Sequence, residues 1–212
     1  VHSGLINAAG SAEEVQGVLA HELGHITGGH IVRRGEGMRA ATNISILSAL
    51  LGVAAALAGA GDAAMGVLMA GQQAAMGKFL AYSRTEEASA DAASVEYLTK
   101  AGISGQGAVN FFKRLQNLEF RHGYSQSEEA GFYRTHPLTG DRIARLEADF
   151  KAGPYWNKPP DPEIQQRFER MRAKLYGYLA EPRDTLNVYP PSMQTIPAHY
   201  ARAYAYHKDA QV

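Results

Sequence analysis

The chain has 212 residues, of which 45% are hydrophobic and 20% are charged, a balance typical of a globular protein rather than a disordered one. Its 21 Lys and Arg side chains are matched by 21 Asp and Glu side chains, so no excess of cations predicts binding to nucleic acid. The absence of cysteine excludes disulfides and thiolate metal ligands, so a metal site would have to use histidine and carboxylate side chains.

The chain begins with a segment that predicts a short strand, from Val1 to Ile6, ending in a turn. Ser11 followed three residues later by Glu14 matches a capping box, in which the hydroxyl and the carboxylate satisfy free backbone N–H groups at the start of a helix. Apolar residues then recur at helical spacing, which predicts a helix at roughly residues 11–34.

The stretch from residue 40 to residue 61 carries no charge and is long enough to cross a bilayer. Alanine and glycine dominate it, however, and residues 63–82 continue in the same style with Gln72, Gln73 and Lys78. This composition favours two small-residue helices packed tightly in a soluble protein. The alternative is a hairpin that makes peripheral contact with a membrane through residues 40–82.

The second half of the chain predicts further helices, at residues 84–101, 105–122, 138–151 and roughly 162–180. Residues 124–135 are polar and predict a loop. Beyond Pro182 the chain is rich in proline and tyrosine and predicts an extended tail. The predicted fold is therefore mainly α (α+β), with one domain over residues 1–150 and a C-terminal helix and tail, residues 151–212, packed on it.

The motif His21-Glu22-Leu23-Gly24-His25 places two histidines four residues apart inside the first long helix. Side chains at this spacing differ by about 40° around the helix axis, so both imidazoles can bind one zinc ion. Glu22 flanks the metal position without coordinating it and can accept a proton from the water that attacks a peptide bond. The alternative is that these residues lie on an exposed helix face and that their spacing has no functional meaning.

A catalytic zinc ion usually takes three protein ligands, so the third must come from elsewhere. His30 lies about 180° from His21 on a continuous helix, and we interpret it as a structural or surface histidine. Glu87 and Asp91 lie four residues apart on a later helix, which suits a zinc ligand and a carboxylate that accepts a hydrogen bond from a ligand histidine. Taken alone, such a pair is more typical of a solvated helix face.

Together, HELGH and SRTEEASAD resemble the HtpX, Oma and CAAX-prenyl-endopeptidase family of zinc metallopeptidases, in particular its soluble BepA-like and Loi-like envelope members. The resemblance covers roughly residues 1–150 and includes residues 1–6, Thr135-His136-Pro137 and Asp141-Arg142-Ile143. It implies a gluzincin-type helical domain with a short edge strand or small sheet. Integral-membrane members place spanning helices between the two zinc motifs, whereas the composition of residues 40–82 favours a soluble or peripherally bound protein.

The resemblance also implies roles for individual residues. The zinc ligands would be His21, His25 and Glu87, with Glu22 as general base and acid and Asp91 as the partner of a ligand histidine. Ser3, Gly4 and Leu5 on the edge strand would pair with an extended peptide substrate. His136 would donate a hydrogen bond to the tetrahedral intermediate or close the fourth coordination position, and Arg142 would brace that region. A turn-capping role before Pro137 is the alternative for His136.

The sequence thus predicts an endopeptidase that uses one zinc ion per chain to hydrolyse peptide bonds of unfolded or misfolded proteins. The resemblance places it in the bacterial periplasm or cell envelope, soluble or membrane-associated, with a polypeptide substrate in extended conformation. One alternative is a zinc-bearing chaperone or binding module with latent protease activity. Another is a membrane-embedded enzyme that processes lipidated peptides.

Overall fold

The computed structural model describes residues 3–122, 136 and 139–209, and these ranges contain helices and no strand. The helices are α1 (Ser3–Ala8), α2 (Ala12–Thr27), α3 (His30–Leu57), α4 (Gly61–Lys100), α5 (Gln106–His122), α6 (Gly140–Ala152), α7 (Pro162–Leu179), α8 (Pro182–Val188) and α9 (Ile196–Lys208). The prediction of a mainly α fold is confirmed. The predicted loop at residues 124–135 lies outside the described residues.

The predicted edge strand is wrong, because its described residues begin helix α1. The Ala9 N–H donates to the Leu5 carbonyl at 3.0 Å, and the side chains of Leu5 and Ile6 pack against the hydrophobic core. Adjacent core-facing residues suit a helix face and not the strict alternation of a strand. Ser3, Gly4 and Leu5 therefore lie in a helix and not on an edge strand, and their contact with a peptide substrate stays a prediction.

The chain divides into two compact units, one formed by Val1–Ala20 with Ser94–Val212 and the other by His21–Ala93. The boundaries fall inside helices α2 and α4, which therefore each contribute residues to both units. This division differs from the predicted domains, 1–150 and 151–212, whose boundary stays a prediction.

In the first unit, helix α5 supplies the centre of the hydrophobic core. Phe111, Phe112 and Leu115 are almost completely buried and belong to the same cluster as Leu146 of α6. Helix α2 packs closely on α5 because Gly17 has no side chain: a Cβ there would lie 2.5 Å from the Ala108 Cα. The start of α2 is thereby fixed next to the core.

The cap by Ser11 at the start of α2 is confirmed, and the Glu14 carboxylate bonds the N–H of the residue before Ser11. The Ser11 hydroxyl accepts a hydrogen bond from the Glu14 N–H at 3.2 Å, and the Glu14 carboxylate accepts one from the Gly10 N–H at 2.7 Å. Glu14 is also bonded to Arg114 of α5 at 2.8 Å. A buried carboxylate with these donors stabilises both the helix end and its contact with α5.

The segment beyond Pro182 is not extended, as the composition predicted, but forms helices α8 and α9. Pro182 and Pro197 lie in the first turn of these helices, where the missing N–H breaks no intrahelical hydrogen bond, and Pro190 and Pro191 lie between the two helices. Ala201 of α9 packs directly on Gly177 of α7, where a Cβ would lie 2.5 Å from the Ala201 carbonyl oxygen. The C-terminal segment thus folds as a small helical layer.

In the second unit, helices α3 and α4 form a hairpin around a turn at Gly59, whose φ of 81° favours glycine. Both predicted small-residue helices are present, although α4 continues without interruption through the helix predicted at residues 84–101. No glycine or proline lies between residues 78 and 101 to end it. The 40 residues of α4 therefore join the hairpin to the second predicted metal-binding motif.

Candidate metal centre

Two histidines of helix α2 lie side by side in the interior of the second unit. His21 is fully buried and His25 is 8% exposed, and their Nε2 atoms are 3.1 Å apart. Their four-residue spacing on one helix face accounts for this proximity, as the sequence pattern predicted.

Helix α4 brings the Glu87 carboxylate against both rings. One oxygen lies 3.4 Å from the His21 Nε2 and the other 3.3 Å from the His25 Nε2. Helices α2 and α4 approach this closely because Gly24 faces Ala90: a Cβ on Gly24 would lie 2.8 Å from the Ala90 carbonyl oxygen. The small residues of the two motifs thus let the predicted ligands converge.

The spacing of these three groups fits a metal ion. Ligand atoms at about 2.0–2.1 Å from one tetrahedral zinc ion lie about 3.3 Å from each other, and the observed separations are 3.1, 3.3 and 3.4 Å. The buried ligand atoms of His21, His25 and Glu87 form a group that could hold a metal. Two imidazoles and one carboxylate are also a donor set typical of catalytic zinc.

Asp91 contacts the second ring nitrogen of His21. Its Oδ1 lies 3.0 Å from the His21 Nδ1 and is largely buried, one helical turn after Glu87. A carboxylate at this ion-pair distance favours the tautomer with the proton on Nδ1, in which the Nε2 lone pair is directed toward Glu87 and His25.

His30 makes the corresponding contact with the second histidine, which the sequence analysis missed. Its Nδ1 lies 2.8 Å from the His25 Nδ1, with the two rings edge-on at 4.9 Å between centroids. The interpretation that His30 faces away from the site is wrong, because it assumed one continuous helix. Helix α2 ends at Thr27, and His30 begins a new helix.

The break between α2 and α3 depends on two glycines. Gly29 adopts a left-handed conformation, with φ of 66°. Gly28 lies under the His30 ring, where a Cβ would be 2.4 Å from its Nε2. The sequence signal for this arrangement was therefore the glycine pair followed by a histidine.

The surroundings of His30 favour its neutral form. Burial lowers the pKa of His30, and the neighbouring His25 lowers this pKa further, against an opposing contribution from Glu86. A neutral ring can accept the His25 Nδ1–H at its own unprotonated Nδ1. In that tautomer the His25 Nε2 is free of its proton and faces the His21 and Glu87 atoms.

Glu22 directly follows His21 and is partly exposed. A partly exposed carboxylate beside a buried donor group can be reached by water and by a substrate. Its assignment as general base stays a prediction.

The remaining two predicted site residues belong to the first unit. His136 is partly exposed, and its role near the metal stays a prediction. Arg142 lies in the first turn of α6, where its N–H donates to Thr139 Oγ1 at 3.2 Å and its guanidinium lies 5.4 Å from the centroid of the Phe112 ring. The first contact caps α6 and the second ties α6 to α5, while bracing of the metal region by Arg142 stays a prediction.

Comparison with known proteins gives a family match that includes every residue of the candidate centre. The model of peptidase family M48 matches residues 1–149. The chain is 34% identical to Metalloprotease YcaL of Escherichia coli, over 72% of this chain and 55% of that protein. It is 32% identical to Metalloprotease LoiP of the same organism, over 69% of this chain and 52% of that protein.

A third relative, the Beta-barrel assembly-enhancing protease of Escherichia coli, is 27% identical over 68% of this chain and 28% of that protein. The chain thus spans between 28% and 55% of the length of these curated relatives. No solved structure matches it.

Proposed function

Because the chain belongs to peptidase family M48, we propose that it is a zinc-dependent endopeptidase that hydrolyses peptide bonds of unfolded polypeptides in the bacterial cell envelope. The observation that carries this proposal is the convergence of His21, His25 and Glu87, with separations of 3.1–3.4 Å between their ligand atoms. The three side chains would hold one zinc ion per chain.

A bound zinc ion would supply a Lewis acid that lowers the pKa of water and polarises a carbonyl group. The protein itself supplies the proton transfers. The Glu22 carboxylate accepts a proton from the attacking water and then delivers it to the nitrogen of the leaving amine, so that it acts first as base and then as acid. Asp91 fixes the ring of His21, and His136 would donate a hydrogen bond to the oxyanion that develops on the scissile carbonyl.

The substrate we propose is a polypeptide in extended conformation. His21, His25 and Glu87 are each at least nine-tenths buried, so a peptide bond reaches them most easily as a single unfolded segment. An envelope location is supported by a relative named for beta-barrel assembly, since β-barrels are the membrane-spanning architecture of bacterial outer membranes. Misfolded envelope proteins are the substrates that agree with both arguments.

The decisive experiment replaces Glu22 with glutamine in the full chain. Loss of the proton acceptor is expected to lower the rate of casein cleavage by at least about 100-fold, while the zinc content stays at that of the wild type. Cleavage is followed by the release of labelled peptides, and zinc is measured by elemental analysis. Glu163→Gln, at an exposed position of α7, is the matched control and should cleave at the wild-type rate.

Undiminished cleavage by Glu22→Gln would contradict the assigned role of this carboxylate. A wild-type chain that holds stoichiometric zinc but cleaves no unfolded protein would instead favour the binding module with latent protease activity.

A further inference from the structure

The distal half of the α3–α4 hairpin, residues 46–71, exposes a continuous apolar surface. It contains a single charged side chain, Asp62 at the tip. Its large apolar side chains are mostly more than half exposed, namely Ile46, Leu47, Leu50, Leu51, Val53, Leu57, Met65 and Met69. An exposed apolar surface of this extent marks a binding surface and is not typical of a soluble monomer.

The two helices of the hairpin use small residues to pack on each other. A Cβ on Gly71 would lie 2.0 Å from the Ser48 Cβ, and one on Gly52 would lie 2.9 Å from Leu68 Cγ. Close packing through small residues is typical of helix pairs in lipid. It leaves the large apolar side chains on the outer faces of the hairpin.

Helix α3 is strongly apolar but little buried. An 18-residue stretch of this helix is long and apolar enough to cross a membrane, yet only 11% of the stretch is buried. Core helices of comparable hydropathy owe their stability to burial of their apolar faces. Here that burial must come from something that covers the hairpin.

The order of residues along the hairpin matches the depth profile of one lipid leaflet. The apolar segments, residues 46–57 of α3 and 62–71 of α4, are about 18 and 15 Å long at 1.5 Å per residue, close to half of the roughly 30 Å hydrocarbon core. Next along each helix come exposed, uncharged polar residues, Thr42 and Asn43 on α3 and Gln72 and Gln73 on α4. Arg39 and Lys78 follow, where lipid phosphates would lie.

We propose that the distal half of the hairpin inserts into one leaflet of a phospholipid bilayer and anchors the protein at a membrane surface. A protein partner would need one apolar face bordered by polar residues, whereas here the outer faces of both helices are apolar. Membrane anchoring needs no catalysis, so this inference stands apart from the proposed function.

The test measures binding of the full chain to vesicles of phosphatidylethanolamine and phosphatidylglycerol by flotation. Leu51→Asp places a charge in the apolar surface and is expected to lower the vesicle-bound fraction at least tenfold. Ile196→Asp, at a position of equal exposure (55% against 54%) in the first turn of α9, is the matched control and should bind like the wild type. Circular dichroism of each variant verifies that it is folded.

A second variant tests the depth of insertion. Asp62→Asn removes the only charge of the inserted segment and should raise the bound fraction severalfold. Equal binding by Asp62→Asn and the wild type would place the tip outside the acyl chains and overturn insertion.

Three further outcomes would overturn the proposal: no vesicle binding by the wild type, equal binding by Leu51→Asp, or a dimer that Leu51→Asp dissociates in the absence of vesicle binding. The last outcome would assign the surface to a second copy of the chain. Casein cleavage without vesicles is assayed in parallel. A chain that binds vesicles but never cleaves casein would refute the proposed function and leave the membrane anchor intact.

Discussion

Each imidazole of the candidate metal centre is held through its second ring nitrogen. Asp91 lies 3.0 Å from the His21 Nδ1 and His30 lies 2.8 Å from the His25 Nδ1. Such contacts fix the ring orientation and the tautomer, and they direct the Nε2 lone pair of each histidine toward the metal position. A histidine performs for His25 the task that a carboxylate performs for His21.

Loss of either of these contacts is expected to weaken metal binding. Asp91→Asn and His30→Ala should each lower zinc affinity about 10- to 100-fold, the usual effect of removing a group that orients a metal ligand. Affinity is measured by competition with a chromogenic chelator, and the absorption spectrum of the cobalt-substituted chain reports changes in ligand geometry.

Asp149→Asn and His207→Ala, at exposed positions on α6 and α9, serve as controls for these two substitutions. Wild-type affinity together with an unchanged cobalt spectrum in His30→Ala would show that His30 does not orient His25.

Among the helices, the approach of α2 to α4 depends on a residue without a side chain. Gly24 faces the backbone of Ala90, and a Cβ at Gly24 would lie 2.8 Å from the Ala90 carbonyl oxygen and 2.9 Å from its Cα. Backbone atoms cannot rotate away as a side chain can. The distance between Glu87 and the two histidines is therefore set by the packing of small residues one turn away.

Substitution of this glycine should separate the two helices. Gly24→Ala is expected to destabilise the fold by about 1–3 kcal/mol through overpacking and to weaken zinc binding, because Glu87 moves away from the histidines. Unfolding in urea gives the stability, and chelator competition gives the affinity.

Gly77→Ala is the matched control, because this glycine is also inside a helix but a Cβ there would meet no atom within 4 Å. It should stabilise the fold by about 0.5–1 kcal/mol through helix propensity. Gly24→Ala with wild-type stability and wild-type affinity would show that the close approach is not required.

At the scale of the molecule, a metal ion would link two segments that are far apart in the chain. The chain between His25 and Glu87 runs through the α3–α4 hairpin. A metal ion bound by both side chains would close this long loop. Binding to the folded chain but not to the unfolded one must then raise the stability of the fold.

Removal of the metal should accordingly lower the thermal stability of the full chain. Zinc at 1,000 times its Kd stabilises by about 4 kcal/mol, which for a chain of this size corresponds to roughly 8–16 °C in Tm. Differential scanning calorimetry with and without a chelator measures the difference.

Glu22→Gln should respond to the chelator like the wild type, because the assigned general base is not a ligand. His21→Ala should show no zinc-dependent change in Tm. A chelator effect of equal size in His21→Ala would refute its assignment as a ligand.

The sequence by itself determined those features that depend on neighbouring residues. The mainly α fold, the cap at Ser11 and the side-by-side placement of His21 and His25 all follow from spacing within one helix. Spacing also singled out Glu87 and Asp91 as candidates, but only the family resemblance favoured them over a solvated helix face, since no periodicity could say that a face of a distant helix would meet the first. Local composition gave wrong predictions at both ends of the chain, the strand at residues 1–6 and the extended tail beyond Pro182, because packing against neighbouring helices stabilises helices there.

Only the tertiary structure decided which side chains meet across turns and between helices. His30 reaches His25 because the chain turns at Gly28 and Gly29, a change of direction that helical geometry alone does not predict. The exposure of the α3–α4 hairpin was decided in the same way, because small-residue helices have one sequence pattern whether they lie in a core or outside it. Contacts between distant segments depend on how whole helices pack, and that information is not contained in the spacing of any one of them.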